Sequence, residues 1–294
     1  MSRCSSLVGM VVFTMPEGDT VFRTARRLEA ALAGRVLSVS DFRVPAHATL
    51  SLVDWMVESV VSRGKHLLIR ARPPERVSAP PLSIHSHLLM EGHWDVYATG
   101  ERWRSPAFKA RAVLGNTAFT AVGFELGFLH VLRTNEEVEV IGHLGPDPLG
   151  HSWDPDEAVR RLLAEPLRPI GLALLDQRLM CGLGNVYRSE LLFVARVHPR
   201  TPTGEVEDLH HLVDLAHRLL NANKDRARRV TTGADGMNPY WVYGRGGQAC
   251  MRCGGILSKE SLAESDRSAE RDIYFCASCQ ASTVRMGESD RNHP

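Results

Sequence analysis

Residues 15–20 of the chain read Met-Pro-Glu-Gly-Asp-Thr, and the rest of the sequence is organised around this stretch. Pro16 has the fixed φ that suits a first helical turn, and Glu17 and Asp19 lie where a helix dipole favours negative charge. The apolar residues that follow recur on one helical face: Val21, Ala25, Leu28 and Leu32. The stretch therefore predicts an amphipathic helix that begins near Pro16 and that Gly34 can end.

The composition is that of an ordinary soluble globular protein, with 44% hydrophobic and 23% charged residues. At 294 residues the chain is long enough for two domains, or one large one, with a substantial core. Its 35 basic residues face 34 acidic ones, so the overall charge neither requires nor excludes nucleic acid. No apolar run reaches the roughly 18 residues of a membrane helix, and we expect no membrane-spanning role.

Residues 35–141 have the pattern of strands joined by turns. The runs 57–69 and 110–120 are alternating or rich in β-branched residues, and the run 136–141 (Glu-Glu-Val-Glu-Val-Ile) ends the region in the same way. A cluster of prolines between 72 and 81 marks a loop. Several short strands separated by Gly and Pro predict a β-sandwich or barrel, with the opening helix packed at its edge.

The pattern becomes helical after residues 142–150 (GHLGPDPLG), which break regular structure. Four short helices are predicted, at 156–164, 171–180, 186–194 and 207–221. The whole predicts an α+β fold in three parts with a hinge: a β-sandwich domain (15–141), the hinge (142–155), a helical domain (156–247) and a cysteine-containing finger (248–281). We expect residues 1–14 and 282–294 to be disordered.

Four of the six cysteines form two Cys-x2-Cys pairs near the C-terminus: Cys250, Cys253, Cys276 and Cys279. Zinc prefers four tetrahedral thiolates, so the pairs predict one structural Zn²⁺ that leaves no position open for water. A segment this small has no core of its own, and the metal would hold it folded. Disulfides or free thiols are the alternatives. Without an export signal, however, paired spacing favours a metal and a reducing compartment, the cytoplasm.

The segment 175–190 reads LDQRLMCGLGNVYRSE. Gly182 and Gly184 permit a tight turn between two helices, and Asn185 is a good N-cap for the second helix. A helix N-terminus exposes unpaired N–H groups that attract phosphate. Taken alone, the segment predicts a helical hairpin with a capped second helix.

This segment is also similar, nearly residue by residue, to the helix–two-turn–helix element of the formamidopyrimidine-DNA glycosylase/endonuclease VIII family. The Met-Pro-Glu-Gly opening resembles the endonuclease VIII branch, of the actinobacterial type, and the resemblance extends over residues 15–280. It implies a helix–two-turn–helix domain and a zinc-ribbon β-hairpin finger. It also implies a bifunctional DNA glycosylase/AP lyase of base excision repair.

The resemblance implies which residues carry the chemistry. In the family the initiator Met is removed and the exposed proline amine, here that of Pro16, is the nucleophile. It would form a Schiff base with the sugar after the damaged base leaves, and β- and δ-elimination would then cut the strand. Glu17 would act as the general acid/base on the sugar.

Phosphate contacts are implied for three residues. Lys65 lies in the Gly-Lys turn of residues 63–68 (RGKHLL), and the family lysine there contacts substrate phosphate and is needed for glycosylase activity. The asparagine that matches Asn185 binds the phosphate beside the lesion. Arg271 matches an arginine at the tip of the finger hairpin, whose planar fork grips the phosphates that flank the flipped nucleotide.

The run 85–92 (HSHLLMEG) matches the segment that supplies a wedge for the hole left by the flipped base. Met90 is the best match for that wedge, although a lone apolar residue is more often part of a core. His85 and His87 alternate in the same run and suggest a metal site, but no third ligand is evident. We therefore predict that they are ordinary strand histidines.

The Pro-Glu-Gly opening implies that the substrates are oxidised pyrimidines, such as thymine glycol and dihydrouracil. We expect a monomer that acts on double-stranded DNA containing oxidised bases or abasic sites. The purine lesions 8-oxoguanine and formamidopyrimidine are the alternative substrates, because the pocket residues that choose between them are not evident in the sequence.

Residues 1–14 (MSRCSSLVGMVVFT) depart from the family pattern, because Pro16 cannot be a nucleophile while a peptide occupies its nitrogen. They represent a start codon placed too early, a genuine extension or a processed leader. The apolar part is too short for a clear signal peptide, and we favour an early start codon since Met15 directly precedes Pro16. If the extension persists, the alternative is a non-cutting zinc-finger protein that binds damaged or abasic DNA. An RNA-directed or purely structural zinc protein has less support.

Overall fold

The computed structural model describes residues 16–233, 238–263 and 271–281. The two segments expected to be disordered, 1–14 and 282–294, lie outside the described residues. None of the helices described is long and apolar enough to cross a membrane.

Helix α1 (Gly18–Leu32) opens the described chain and has Glu17 as its N-cap. The apolar face expected from the sequence is buried, and Gly34 follows the helix with φ +71°. The prediction that Pro16 occupies the first helical turn is wrong. Glu17 is extended (φ −120°, ψ −175°), and the Gly18 N–H donates to the Gly182 carbonyl at 2.8 Å, so the chain enters the helix two residues later.

Eight strands follow, and they form two four-stranded antiparallel sheets in the orders β1-β6-β7-β5 and β2-β3-β4-β8. The strands are β1 (Val39–Phe42), β2 (Met56–Arg63), β3 (His66–Arg72), β4 (Leu82–His87), β5 (His93–Ala98), β6 (Ala110–Gly115), β7 (Phe119–Phe124) and β8 (Phe128–Arg133). Single 3-10 turns lie at Pro45–His47 and Ala107–Lys109.

The interior of this β-sandwich is continuous with the apolar face of α1. Val21, Leu28 and Leu32 belong to the same buried cluster as Val57, Leu67 and other strand residues. Burying such side chains stabilises the fold by about 1.5–3 kcal/mol each. The predicted sandwich with its opening helix is confirmed.

The run 136–141 is a helix, so the β-like interpretation of its Glu-Val alternation is wrong. A 3-10 turn (Thr134–Glu136) leads into α2 (Glu137–Ile141). The Glu136 carboxylate accepts the Arg133 N–H at 3.1 Å, and Glu137 accepts two hydrogen bonds from the Arg70 guanidinium at 2.8 and 2.7 Å. These local and cross-strand contacts turn the chain directly after β8. The run therefore forms a helix in spite of the Glu-Val alternation that is typical of a strand.

Helices dominate the next part of the chain: α3 (Pro155–Leu162), α4 (Ile170–Ala173), α5 (Asn185–Val194) and α6 (Leu209–Asn223), with a 3-10 turn at Thr203–Glu205. The helix predicted at 171–180 is shorter than expected, and α4 ends at Ala173. The Gln177 amide explains part of this, since it donates to the carbonyls of Leu175 and Leu183 and accepts the Gly182 N–H. These bonds hold residues 175–183 as a compact turn.

The finger contains an antiparallel hairpin of β9 (Ser258–Leu262) and β10 (Arg271–Phe275). The apolar residues Ile273 and Phe275 of β10 pack with Leu172 and Leu262, so the hairpin lies against the helical part. The α+β fold of sandwich, helical region and cysteine-containing hairpin is therefore confirmed.

Candidate active site between the sandwich, the helical region and the finger

A cavity of about 740 Å³ lies where the three parts meet. Five residues singled out in the sequence line it: Pro16, Lys65, Met90, Asn185 and Arg271. Six other residues complete the lining, and none of them was predicted as a site residue from the sequence. They are His87, Leu89, Leu175, Gln177, Tyr243 and Asp272. The fold thus brings together positions from residue 16 to residue 272 of the chain.

Glu17 lies directly behind Pro16 and is fully buried. Its carboxylate accepts the backbone N–H groups of Gly184 and Val186, both at 2.8 Å, and that of Tyr187 at 3.3 Å. Glu17 is thus the N-cap of α1 by position, while its side chain caps the N-terminus of α5. The free N–H groups that the sequence suggested for phosphate are occupied by this internal anion.

Gly184 has no room for a side chain. A Cβ at this position would lie 2.6 Å from Cδ of Glu17, closer than atoms in contact allow. Gly184 is also the N-cap of α5, so the prediction that Asn185 occupies that position is wrong. The side-chain cap that Asn185 would supply comes from Glu17 instead.

Asn185 is the first residue of α5, and its side chain joins the helix to the finger. Its amide donates to the Asp272 carbonyl at 2.8 Å and accepts a hydrogen bond from Arg188. Arg188 is fully buried and donates to the same carbonyl at 2.8 Å. These bonds fix the start of β10, and Arg271 therefore stands exposed at the edge of the cavity.

Lys65 lies in the two-residue turn between β2 and β3, after Gly64 with φ +56°. The Gly64 N–H donates to the buried Asp147 carboxylate at 2.7 Å, and Asp147 also accepts the Leu149 N–H at 2.9 Å. The hinge segment therefore holds the turn that carries Lys65. Burial lowers the pKa of Lys65, and the positive charges of Arg271 and Arg229 lower it further, while the Glu17 charge opposes them.

Met90 lies in the turn after β4, beside Leu89, and both side chains are about half exposed (55% and 50%). Leu89 has φ +52°, and its N–H donates to Nδ1 of His87 at 3.0 Å. Two exposed apolar side chains thus stand at the border of the cavity. Met90 is therefore not a core residue, and the prediction that it is a wedge stays a prediction.

The backbone segment that carries Tyr243 is held by a residue that was not predicted as a site residue from the sequence. Glu190 is buried in α5 and accepts the N–H groups of Trp241, Val242 and Tyr243, all at 2.8 Å. Burial raises the pKa of Glu190, and these hydrogen bonds oppose the rise. A single carboxylate therefore orders the backbone that presents Tyr243 to the cavity.

His85 and His87 lie on β4, and among the described residues only the four finger cysteines bring three or more metal-binding side chains close together. His85 is buried, and its Nε2 lies 2.8 Å from Nδ1 of His66 on β3. Burial lowers the pKa of His66 to about 3 and that of His85 to about 4, and neighbouring histidines add to both shifts. His85 thus packs against His66, whereas His87 lines the cavity, and the prediction that both are ordinary strand histidines stays a prediction.

The four predicted zinc ligands form a cluster whose Sγ atoms all lie within 4.8 Å of one another. The Sγ atoms of Cys250 and Cys279 are 3.9 Å apart, and those of Cys253 and Cys276 are 3.5 Å apart. Four thiolates at about 2.3 Å from one tetrahedral Zn²⁺ would lie about 3.8 Å apart. The cluster can therefore hold a metal ion.

Two known domain families match this chain. The Formamidopyrimidine-DNA glycosylase N-terminal domain matches residues 15–126, and the Formamidopyrimidine-DNA glycosylase H2TH domain matches residues 144–226. The chain is 50% identical over 270 residues to "Probable endonuclease 8 2" of Streptomyces coelicolor, across 91% of this chain and 94% of that protein. It is 44% identical over 271 residues to "DNA-(apurinic or apyrimidinic site) lyase Nei2" of Mycolicibacterium smegmatis, across 92% and 100%.

Solved structures with the same fold include Lactococcus lactis formamidopyrimidine-DNA glycosylase bound non-covalently to DNA that contains an AP site. That structure has a TM-score of 0.74 at 21% identity and covers 90% of this chain and all of its own. A structure of MutM in complex with DNA that contains carbocyclic 8-oxo-G has a TM-score of 0.73 at 22% identity, over 91% and 100% of the two chains.

The paired histidines predict a loss of stability in acid. Both pKa values are lower in the folded state than the usual 6.5, so between pH 6.5 and about 4 the unfolded chain binds protons that the folded chain does not. The free energy of unfolding should therefore fall as the pH drops through this window, by at most about 1.4 kcal/mol per pH unit for each group. Urea unfolding from pH 7 to 4 measures this slope.

The matched variants are His66→Gln and His151→Gln, because His151 is exposed. His66 is faced by His85 and His87 on β4, by His143 and by the adjacent Lys65, and all of these lower its pKa in addition to burial. We expect His66→Gln to flatten the slope and His151→Gln to leave it unchanged. Equal slopes in the two variants would contradict the assignment.

Proposed function

Since this chain belongs to the formamidopyrimidine-DNA glycosylase/endonuclease VIII family, we propose that it excises oxidised pyrimidines through a Schiff base on Pro16. The chain is a DNA glycosylase with AP lyase activity, an enzyme of base excision repair. The observation that carries the proposed mechanism is the position of Glu17, buried at the α5 N-terminus directly beside Pro16 at the cavity.

The reaction begins when the damaged nucleotide leaves the base stack and enters the cavity, because the glycosidic bond is not accessible inside the duplex. The lone pair of the free Pro16 amine forms a bond to C1′ of the deoxyribose. The glycosidic bond breaks, and its electrons leave with the base, which takes up a proton. This covalent route divides one difficult displacement into easier steps.

Glu17 then moves one proton. Its carboxylate takes the proton from the positively charged Pro16 nitrogen and delivers it to the ring oxygen O4′, which opens the sugar and leaves an iminium at C1′. β-Elimination breaks the C3′–O bond and δ-elimination breaks the C5′–O bond, so both flanking phosphates are released from the sugar.

Lys65, Asn185 and Arg271 support the DNA-binding part of this proposal, since they line one cavity together with Pro16. Lys65 and Arg271 supply positive charge from opposite parts of the fold, the sandwich and the finger. Contacts of this kind position the backbone and read no sequence. Met90, exposed beside Leu89, is the proposed wedge for the space that the flipped base leaves.

Oxidised pyrimidines are proposed as the substrates because the curated relatives at 50% and 44% identity carry the names endonuclease 8 and AP lyase. Solved structures with this fold were determined with DNA containing an oxidised pyrimidine and with DNA containing 8-oxo-G. The fold therefore does not choose between pyrimidine and purine lesions, and 8-oxoguanine and formamidopyrimidine stay the alternative.

We also propose that the cysteine cluster holds one Zn²⁺. Sulfur distances of 3.5 and 3.9 Å agree with tetrahedral thiolate coordination, and the four cysteines are not in disulfides. The metal would hold the finger in shape and so position Arg271, without a part in proton transfer. Metal-bound thiolates of this kind suit a reducing compartment. We therefore propose that the protein is a monomer in the cytoplasm.

Borohydride trapping on DNA with one abasic site tests the nucleophile. For protein that begins at Pro16, reduction should convert the iminium into a stable covalent adduct. For protein that retains residues 1–15 no adduct should form, because the Pro16 nitrogen is then part of a peptide bond and is not a nucleophilic amine. Glu17→Gln in the protein that begins at Pro16 should slow strand cleavage by about 10²–10⁴-fold, since it removes the proton carrier.

Three other outcomes are possible in the trapping experiment. Trapping of both forms would assign the amine to a lysine, and Lys65→Ala would identify it. Binding without trapping by either form would contradict the lyase mechanism and favour a protein that binds abasic DNA without cutting. Absence of both binding and trapping would contradict the DNA-directed function.

A panel of single-lesion duplexes tests the substrate. We expect kcat/KM for thymine glycol and dihydrouracil to exceed that for 8-oxoguanine by about tenfold or more, a difference of about 1.4 kcal/mol in transition-state binding. An undamaged duplex of the same sequence is the control. A preference for 8-oxoguanine of the same size would reverse the assignment.

Cys253→Ser tests the metal. Metal content measured by mass spectrometry should fall from about one Zn²⁺ per chain to almost none, because three thiolates hold zinc less firmly than four. Affinity for abasic-site DNA should fall with it. Cys181→Ala is the matched control, since Cys181 is a free cysteine outside the cluster. Unchanged zinc content in Cys253→Ser would contradict the ligand set.

A further inference from the structure

Arg229 extends from the segment after α6 to the first turn of α1, and its side chain is almost completely buried. Its Nε donates to Oδ2 of Asp19 at 2.9 Å, and its Nη2 donates to Oδ1 at 2.5 Å. Nη2 also lies 3.2 Å from the Thr20 hydroxyl. Two of the three guanidinium nitrogens are therefore fixed by α1.

The third nitrogen, Nη1, has a different environment. It is buried without a hydrogen-bond partner in the described part of the chain, and it lies 3.8 Å from Oε1 of Glu17. A buried donor without a partner is destabilising. A residue that served only as an ion-pair partner of Asp19 would not need to point a third donor at the Glu17 carboxylate.

The guanidinium is held in this orientation on a second side. The Tyr187 ring lies 4.8 Å from it, in cation–π geometry, and Tyr187 also donates its backbone N–H to Glu17. Burial lowers the pKa of Arg229, but the charges of Asp19 and Glu17 raise it well above the usual value, so the side chain stays charged.

Other charges also act on Glu17, although from a greater distance. Lys65 on the β2–β3 turn and Arg188 on α5 are positive, and Asp19 on α1 is negative and already paired. In the part of the chain that the structure describes, Arg229 is the one cation with a nitrogen within 4 Å of the Glu17 carboxylate. It is therefore the cation placed to orient that carboxylate, together with the three backbone N–H groups at the start of α5.

We infer that Arg229 is a positioning residue that orients the Glu17 carboxylate for proton transfer between Pro16 and the sugar. This inference rests on the function proposed above. The ionised carboxylate accepts the proton of the Pro16 nitrogen. Neutral Glu17 then lacks its attraction to Arg229, and passing the proton to O4′ restores it. Arg229 thus holds the carboxylate in place while it takes up the proton, and its positive charge favours the release of that proton to O4′.

The test compares Arg229→Lys with Arg70→Lys in protein that begins at Pro16. Lysine keeps a positive charge beside Asp19 but has no planar fork that serves Asp19 and Glu17 together. Arg70 makes an equivalent two-bond contact to Glu137 in the sandwich, at 2.8 and 2.7 Å, and it does not line the cavity. It is therefore a matched control for the loss of an arginine–carboxylate pair.

Two quantities separate positioning from folding. The first is the single-turnover rate of cleavage at an abasic site, and the second is the Kd for a duplex with a tetrahydrofuran abasic analogue, which cannot form an iminium. For Arg229→Lys we expect the rate to fall at least about tenfold, with Kd within about threefold of the parent, because removing one preorganised charge slows chemistry more than binding. Arg70→Lys should change neither.

A double variant, Asp19→Asn with Arg229→Gln, removes the buried Asp19–Arg229 ion pair as a unit, so neither partner of that pair is left charged alone, while Glu17 keeps its three backbone N–H donors. It should also lose at least about tenfold in rate at unchanged Kd. A parental rate in Arg229→Lys, or equal losses of rate and affinity, would overturn the inference while the parent protein is still trapped on DNA. Failure of the parent to be trapped would overturn the proposed function, and the inference with it.

Discussion

The carboxylate of Glu17, bound to the first N–H groups of α5, is the contact on which the rest of the structure depends. It joins the first turn of α1, which packs on the sandwich, to the helical region, and it leaves Pro16 at the cavity. The Gly18 N–H bond to the Gly182 carbonyl reinforces the junction. Gly184 must be glycine there because the Glu17 side chain fills the space that a Cβ would take. One buried carboxylate therefore joins two parts of the fold, and the same carboxylate is the proposed acid/base group.

The cations around the cavity are positioned by the same means, a buried polar side chain that binds backbone. Asp147 holds the turn that carries Lys65, while Asn185 and Arg188 hold the strand that begins with Arg271. A backbone held by a buried hydrogen bond cannot shift without leaving a polar group unpaired, and that is costly inside a protein. The flexible side chains of Lys65 and Arg271 thus extend from backbone that is held in place.

Local patterns were sufficient to predict much of this. The strand pattern of residues 35–141 and the helical pattern beyond it predicted the fold class, and the resemblance to the glycosylase family supplied the site residues, five of which line one cavity. The partners of Glu17, Asn185 and Asp147 were not predictable, since each lies far along the chain and no local pattern indicates the pairing. The same limit explains the run 136–141, where Arg70 overrides an alternation that reads as a strand. Arg229 was missed because a surface arginine and a buried one look alike in a sequence.

The junction at Glu17 also sets the order in which the protein becomes complete during synthesis. The backbone groups that bind Glu17 lie 167 to 170 residues later in the chain, and the carbonyl that binds Asn185 lies 87 residues later again. The sandwich therefore leaves the ribosome with its carboxylate unmatched and its cavity open on two sides. The groups that bind the Glu17 carboxylate are complete only after α5 emerges, and the cavity gains Arg271 and Asp272 only after the finger is made. A chain that ended before residue 184 would have none of the backbone groups that bind Glu17.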